Sequence, residues 1–234
     1  MNPEALKSSN SISTLNEKSL HADLKAWYAE PGDKFEVCVD GFIVDIVRGD
    51  LLVEVQTRNF SAIGSKLGRL ADHHRVRLVY PIAVAKWIVK QPQNGLVRLS
   101  RRKSPKTGRA EHVFMELVGI PQLLSHANFS LEILLIHEEE VRRPNTKRGW
   151  HQKEWLTHER RLLQVLERRL FETPAELGAL LPGALAGNFS TADLASALSI
   201  PRWLAQKMTY CLRELGAICT AGKTGHAMIY KRTG

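Results

Sequence analysis

The chain has 234 residues, which is enough for one large or two small domains. Its content of 44% hydrophobic and 24% charged residues is typical of a globular protein and excludes a wholly disordered or collagen-like chain. Thirty-three Lys and Arg residues against 24 Asp and Glu residues give a formal net charge of +9, which favours a polyanionic partner such as nucleic acid. A solvated basic surface that only aids solubility is the alternative.

Neither a membrane segment nor an oxidised cysteine framework is expected. The longest apolar runs are far shorter than the ~20 residues that span a bilayer. The first 20 residues are polar and lack the apolar core of a secretory signal, which favours a cytoplasmic location. Cys38, Cys211 and Cys219 are odd in number and widely spaced, so they predict reduced thiols and no structural zinc site.

The predicted elements of the first half alternate between helix and strand. Residues 1–15 are rich in Ser and Asn and are predicted to be disordered. Leucines at helical spacing predict a first helix that begins at Asn16 and stops before Pro31. The elements that follow are β-rich runs over 34–47 and 51–57, a helix over 61–74 and a buried strand over 76–85. This alternation predicts an α/β fold.

The rest of the chain divides the molecule into two domains. A basic loop is flanked by a predicted hairpin and short helix, and residues 130–143 predict the last strand of this domain. Residues 144–152 have the composition of a linker, and leucines from Glu154 onward predict a helix. We therefore predict a first domain over 16–143 and a second over 153–234.

Acidic residues interrupt the apolar run VDGFIVDIVRGDLLVEVQT. If Gly49 and Asp50 form a two-residue type II′ turn, paired residue numbers sum to 99 and Asp45 lies opposite Glu54. Gln56 then shares their face, because successive strand side chains alternate. A three-residue turn would instead put Asp45 on the opposite face.

Carboxylates within a β-branched hairpin predict a divalent cation. An unpaired buried charge is costly, and Mg²⁺ prefers carboxylate oxygens together with waters and substrate phosphates. Mg²⁺ or Mn²⁺ held by Asp45 and Glu54 could activate water for attack on a phosphodiester. The alternative is that both carboxylates face solvent and pair with nearby Lys or Arg.

The segment 16–86 resembles the PD-(D/E)XK, or restriction-endonuclease-like, nuclease superfamily. The core of that family is a helix with Glu, a hairpin with Asp and a (D/E)-x-K tripeptide, a further helix and a strand, which match Glu17, Asp45 and Glu54-Val55-Gln56 here. The resemblance implies a mixed sheet flanked by helices and a Mg²⁺-dependent endonuclease. It also implies that Asp45 and Glu54 bind the metal, that Gln56 orients the water or contributes a ligand, and that Glu17 completes the acidic cluster.

Gln56 departs from the family pattern, because Lys is usual at that position. Some members of the family carry the Lys on the following helix, and Lys66 is the candidate here. A cation there would help to hold the attacking water and offset phosphate charge. The alternatives are a solvent-facing Lys66 and a Glu17 that only favours its helix N-terminus.

Residues 98–109 contain six basic residues and no acidic residue. A cationic loop of this kind is expected to contact the phosphate backbone of a nucleic acid without reading its sequence. A protein-docking or merely solvated loop is the alternative. The six residues are Arg98, Arg101, Arg102, Lys103, Lys106 and Arg109.

The segment 189–232 resembles a winged helix-turn-helix domain. Ser190 is expected to cap one helix, residues 201–215 would form the recognition helix, and the hairpin around 222–225 would form the wing. A winged helix used for protein contacts or dimerisation is the alternative. The DNA contacts that the resemblance implies are Arg202, Gln206, Lys207, Arg213, Lys223 and Lys231.

These patterns together predict a metal-dependent DNA endonuclease with a carboxy-terminal winged-helix module for DNA binding or targeting. A defence or mobile-element system is the expected setting, by analogy of arrangement. The alternative is a non-enzymatic DNA-binding regulator, or a docking subunit, that has an inactive nuclease fold. A protein partner or a homodimer is compatible with both.

Overall fold

The computed structural model describes residues 11–92, 94, 99–145 and 154–233, with side chains from residue 19 onward. It has a mixed α/β fold with a large mixed sheet flanked by helices. None of the helices in these ranges is long and apolar enough to cross a membrane. The helices are α1 (Ser11–Tyr28), α2 (Gly64–Ala71), α3 (Phe114–Leu117), α4 (Pro174–Gly178), α5 (Thr191–Leu198) and α6 (Arg202–Glu214).

The strands of the same ranges are β1 (Lys34–Val39), β2 (Phe42–Arg48), β3 (Leu51–Val55), β4 (Arg75–Lys90), β5 (Ser100–Lys103), β6 (Phe129–Pro144), β7 (Trp155–Phe171), β8 (Phe189–Ser190), β9 (Ile218–Thr224) and β10 (Ala227–Arg232). The β-rich run predicted over 34–47 forms two strands, β1 and β2. Asp40 and Gly41 both have positive φ, 49° and 80°, and form the turn between β1 and β2.

The chain divides into two compact units, each assembled from three separate stretches. The first unit contains the chain up to Tyr28, Ala83–Thr107 and Ile136–Leu166. The second unit contains Ala29–Ile82, Gly108–Leu135 and the chain from Glu167 onward. Strands β4, β6 and β7 contribute residues to both units. The predicted linker over 144–152 lies for the most part outside the described residues.

The large sheet has the strand order β1-β2-β3-β4-β6-β7, and β1, β2 and β3 lie wholly within the second unit. Strands β1, β2 and β3 form an antiparallel meander, whereas β3 and β4 are parallel. Parallel neighbours need a long crossover, and helix α2 supplies it. The helix buries Leu67, Leu70 and Ala71.

In the first unit, helix α1 packs through buried Leu20 and Leu24 and begins at Ser11, five residues before the predicted start. Residues 11–15, which were predicted to be disordered, are therefore helical. The carboxylate of Asp23 accepts a hydrogen bond from the Leu162 N–H at 3.0 Å. A helix side chain thus satisfies a backbone donor of β7, which is the last strand in the sheet order.

The same unit contains a network of buried glutamates on β6. Glu138 is fully buried and lies 2.6 Å from Lys86 Nζ and 2.5 Å from an Arg160 nitrogen. Glu140 lies 3.0 Å from Lys86 Nζ and 2.6 Å from Arg142 Nε. Each buried carboxylate is therefore paired with cations from two positions, as burial of a charge requires.

The predicted helix that starts at Glu154 is wrong, because this segment is strand β7. The leucines that suggested a buried helical stripe are substantially exposed, Leu163 by 45% and Leu166 by 46%. The physical reason is that Arg160 pairs with the buried Glu138 of β6. Ion pairing with a neighbouring strand therefore holds the segment, and no apolar helical face is buried.

The carboxy-terminal part of the second unit contains α4, α5, α6 and a small sheet of order β8-β10-β9. Ser190 caps α5, which confirms the prediction: its hydroxyl accepts the Asp193 N–H at 3.3 Å while the Asp193 carboxylate accepts the Ser190 N–H at 2.8 Å. Gly216, at φ 73°, follows the end of α6 and lets the chain turn into β9.

Replacing Glu140 tests the ion-pair network. Burial alone would raise the pKa of Glu140, but Lys86, Arg142 and the Thr157 hydroxyl lower it to about 2. Ionised Glu140 therefore stabilises the fold above its ordinary pKa of 4.5, and this contribution is lost as the pH falls from about 4.5 towards 2. At pH 7 we expect Glu140→Gln to lower the free energy of unfolding by about 2 kcal/mol.

The measurement is urea unfolding of both proteins between pH 2 and pH 7. The difference between wild type and variant should shrink at low pH. Glu159→Gln is the matched control, since Glu159 pairs with the half-exposed Arg161 and should change stability by less than about 1 kcal/mol. A difference that stays constant with pH would contradict the assignment.

Candidate active site

The β2–β3 hairpin has the register that a two-residue turn predicts. The paired residues are Ile46 with Val53, Val47 with Leu52 and Arg48 with Leu51, so their numbers sum to 99. Gly49 has a φ of 58°, and Asp50 is outside the left-handed region, which is the combination of a type II′ turn. The predicted register is confirmed.

Asp45 lies just beyond the paired part of this hairpin. Its Oδ2 atom accepts a hydrogen bond from the Val55 N–H at 2.9 Å. One carboxylate oxygen of β2 is thereby fixed to the strand that carries Glu54. The hairpin register and this hydrogen bond together hold the two acidic side chains near each other.

Glu54 is the buried member of the pair, with 5% of its surface exposed. Its Oε1 atom lies 2.5 Å from the ammonium nitrogen of Lys66. Burial raises the pKa of Glu54 above its ordinary value, the charge of Asp45 raises it further, and Lys66 opposes both effects. Lys66 therefore stabilises the negative charge of ionised Glu54 only in part.

Lys66 comes from helix α2, and the structure brings it to Glu54. Its side chain is 20% exposed, and its ammonium also donates to the Ile43 carbonyl at 2.6 Å. One cation thus contacts both strands of the hairpin. A Lys on the helix that follows Glu54-Val55-Gln56 can therefore reach the carboxylate of Glu54.

The turn that leads into α2 is stabilised by Glu116, which is distant in sequence. Asn59 has a left-handed φ of 59°, and the Glu116 carboxylate accepts the Asn59 N–H at 2.6 Å. Phe60, fully buried, packs edge-to-face on Tyr80 with ring centroids 4.9 Å apart. Glu116 was not predicted from the sequence, because it is 57 residues from Asn59 and belongs to no short motif.

The donor set of Asp45 and Glu54 fits a divalent cation. Both are hard oxygen ligands, and Mg²⁺ often takes one or two carboxylates with waters and phosphate oxygens in its remaining positions. A cation would also relieve the repulsion that Asp45 exerts on Glu54. Within the described ranges no cluster of three or more His, Cys, Asp or Glu side chains is arranged to hold a metal, so the fit depends on these two carboxylates.

Two further predicted site residues lie on different elements. Gln56 follows β3, is half-buried, and donates its N–H to the Val79 carbonyl at 2.9 Å. It is two residues from Glu54 and shares its face by the alternation of an extended chain. Glu17 belongs to α1, but its side chain lies outside the described residues, and its role stays a prediction.

The predicted cationic loop is partly a strand. Strand β5 pairs antiparallel with β4 and sets Lys103 opposite Trp87. The Arg101 guanidinium and the Lys103 ammonium lie 5.1 Å and 5.8 Å from the Trp87 ring centre, and Arg101 also pairs with Glu139 at 2.9 Å. These cations are therefore held against the sheet.

The other basic residues of the segment differ in their surroundings. Arg109 donates to the Leu198 carbonyl at 2.6 Å and pairs with Glu111 at 3.0 Å, so it links two parts of the second unit. Arg102 and Lys106 are exposed. Arg98 lies outside the described residues.

The predicted contacts of the carboxy-terminal segment lie on α6, β9 and β10. Lys207 is half-buried, and Arg213 pairs with the neighbouring Glu214 at 2.9 Å. Trp203 and Tyr210 are exposed on the same helix and were not among the predicted DNA contacts. Their seven-residue spacing was the signal that could have identified them. The exposed predicted residues are Arg202, Gln206, Arg213, Lys223 and Lys231.

Comparison with known proteins gives a family. A family model described as "Domain of unknown function (DUF8091)" matches residues 18–172, a range that contains the β2–β3 hairpin, α2 and all of β7. A protein of Treponema pallidum (strain Nichols), titled "Uncharacterized protein", is 33% identical over 185 residues, which are 79% of this chain and 73% of that protein. No solved structure gives a match. The chain therefore belongs to the family defined by the DUF8091 domain.

Proposed function

We propose that the protein is a metal-dependent DNA endonuclease that hydrolyses phosphodiester bonds at Asp45, Glu54 and Lys66. The observation that carries the proposal is the Lys66 ammonium 2.5 Å from the buried Glu54 carboxylate, on a hairpin that also presents Asp45. Carboxylates for a divalent cation and a positive charge for a phosphate are thereby combined. The order α1, β1–β3, α2, β4 agrees with the restriction-endonuclease-like core that the sequence resembles.

Each residue has a distinct role in this proposal. Asp45 and Glu54 hold Mg²⁺ or Mn²⁺. When bound, the cation would polarise the phosphate and lower the pKa of a water molecule. Lys66 neutralises negative charge on the phosphoryl oxygens. It takes this role from helix α2, because Gln56 stands at the position where the family usually has Lys. Gln56 orients the attacking water.

The carboxy-terminal segment supports a nucleic-acid substrate. Helices α5 and α6 are joined by a short turn and followed by the β9–β10 hairpin, which agrees with the winged-helix resemblance. Residues 202–232 contain six Lys or Arg residues and one acidic residue. This balance favours contacts with phosphates, and we propose that the segment binds or targets DNA.

A second candidate function is that of a non-enzymatic DNA-binding regulator or docking subunit. The observation that favours it is the combination of Gln56 at the usual Lys position with an ion pair that already compensates part of the Glu54 charge. Such a pair can serve folding alone, since a buried carboxylate needs a partner whether or not a metal is bound. The two candidates differ in whether DNA is cut.

The first prediction from the proposal concerns cleavage. Wild type should cut supercoiled plasmid or single-stranded DNA with Mg²⁺ or Mn²⁺. Asp45→Asn, Glu54→Gln and Lys66→Met should each reduce the rate by about 100-fold or more, because each removes a charge that acts on the reacting phosphate. Gel-based rates under single-turnover conditions measure the effect.

Asp50→Asn is the matched control, since Asp50 is an exposed carboxylate in the turn of the same hairpin and should leave the rate unchanged. Wild type that binds DNA but never cuts with either metal would favour the second candidate. Variants that cut as fast as wild type would remove these residues from the mechanism.

The second prediction concerns metal binding and its pH dependence. The raised pKa of Glu54 means that a proton competes with the metal up to a higher pH than at an ordinary carboxyl group. The affinity for Mn²⁺, measured by calorimetry without DNA, should therefore increase as the pH rises through that pKa. Glu54→Gln should bind weakly and lose this increase.

Lys66→Met separates metal binding from catalysis. The variant lacks the ammonium that competes for Glu54, so it should bind Mn²⁺ at least as tightly as wild type at pH 8 while cutting slowly. Wild-type affinity that is independent of pH, or that survives in Asp45→Asn and Glu54→Gln, would contradict the assigned ligands.

A further inference from the structure

Helix α6 presents two exposed aromatic rings on one side. Trp203 is 46% exposed and Tyr210 is 40% exposed. Seven residues complete almost two helical turns, so both rings lie on one face, separated by about 10 Å along the axis. Gln206 lies between them and is also exposed.

The opposite side of α6 is firmly packed. Leu204, Met208 and Leu212 are fully buried, and the helix contacts α5, α3 and β9 within the second unit. The aromatic face is therefore held outward by a buried core. Exposed large aromatic side chains on a rigid element are typical of binding surfaces, where they gain contact area at a low cost in conformational entropy.

Exposed cations lie on this helix and on the hairpin that follows it. Arg202 and Arg213 are exposed on α6, where Arg213 pairs with Glu214 at 2.9 Å, and Lys223 and Lys231 are exposed on β9 and β10. The Arg213 guanidinium lies 5.7 Å from the centre of the Tyr210 ring. The surface thus combines aromatic faces with cations and is complementary to a polyanion that carries flat rings.

We infer that the face of α6 formed by Trp203, Gln206 and Tyr210 binds unpaired bases of a single-stranded nucleic acid. The two rings stack on bases, and the surrounding Arg and Lys side chains contact phosphates. A duplex is a poorer ligand for such rings, because its base faces are already stacked within the helix and only the base edges are accessible. The inference rests on the proposed function only in taking a nucleic acid as the ligand.

The test is binding of the full chain, in EDTA, to a labelled oligo(dT) of about 20 nucleotides and to a duplex of similar length. Trp203→Ala and Tyr210→Ala should each weaken oligo(dT) binding by roughly 5- to 100-fold, the effect of losing one stacked base. Duplex binding should change much less, since it depends on the cations. Trp203→Phe should keep most of the affinity but lose the tryptophan fluorescence quenching that oligo(dT) causes.

Trp27→Ala is the matched control, because Trp27 is 42% exposed on α1 and should not affect either ligand. Unchanged thermal midpoints would show that the variants are folded. Equal oligo(dT) affinity of wild type, Trp203→Ala and Tyr210→Ala would overturn the inference and leave the face to a protein partner. An equal loss for oligo(dT) and duplex would also overturn it.

The experiments distinguish failure of the single-strand binding inference from failure of the proposed nuclease function. In an Asp45→Asn background, Trp203→Ala should weaken oligo(dT) binding by the same factor as in the wild-type background, because Asp45 is on the β2–β3 hairpin and no metal is present. Wild type that binds oligo(dT) through α6 but does not cut would leave this inference standing and overturn only the nuclease. Wild type that cuts DNA but binds independently of Trp203 and Tyr210 would do the reverse.

Discussion

Buried carboxylates and the cations that reach them determine how the strands are joined. Glu132 on β6 lies 2.5 Å from Arg168 of β7, and Glu54 on β3 lies 2.5 Å from Lys66 of α2. In each case the cation comes from a different element, because the free energy of a buried charge depends on a partner close enough to replace water. Each of these two ion pairs therefore joins its glutamate to a different element of the fold.

The buried carboxylates Glu140 and Glu54 differ in a way that bears on function. Glu140 has two cations and a hydroxyl group around it, and its pKa falls to about 2. Burial raises the pKa of Glu54, which has one cation and the neighbouring charge of Asp45, despite its contact with Lys66. Glu140 is thus a completed structural pair, whereas Glu54 is the position where a further positive charge would stabilise the ionised form. A perturbed carboxyl group beside a second acid is a typical feature of catalytic sites.

The sequence predicted what depends on local chemistry. A two-residue turn at Gly49 specified the hairpin register, and Ser190 with Asp193 specified a helix start. It did not predict strand β7, since leucines at a helical spacing conceal a strand in which Arg160 pairs with Glu138, 22 positions away, and Arg168 pairs with Glu132, 36 positions away. The contact of Lys66 with Glu54 and the hydrogen bond from Asn59 to Glu116 also depend on tertiary structure. Residue spacing alone therefore did not decide whether Lys66 reaches the site, and it did not indicate Glu116.

We propose that Asp45 and Glu54 form a divalent-cation site and that Lys66 partly compensates the charge of Glu54 when no cation is bound. The most direct measurement is a crystal structure grown with Mn²⁺ and recorded at a wavelength where manganese scatters anomalously. We expect an anomalous peak in contact with both carboxylates and a Lys66 ammonium that has moved away from Glu54. A map without such a peak, in which Lys66 remains paired with Glu54, would contradict it.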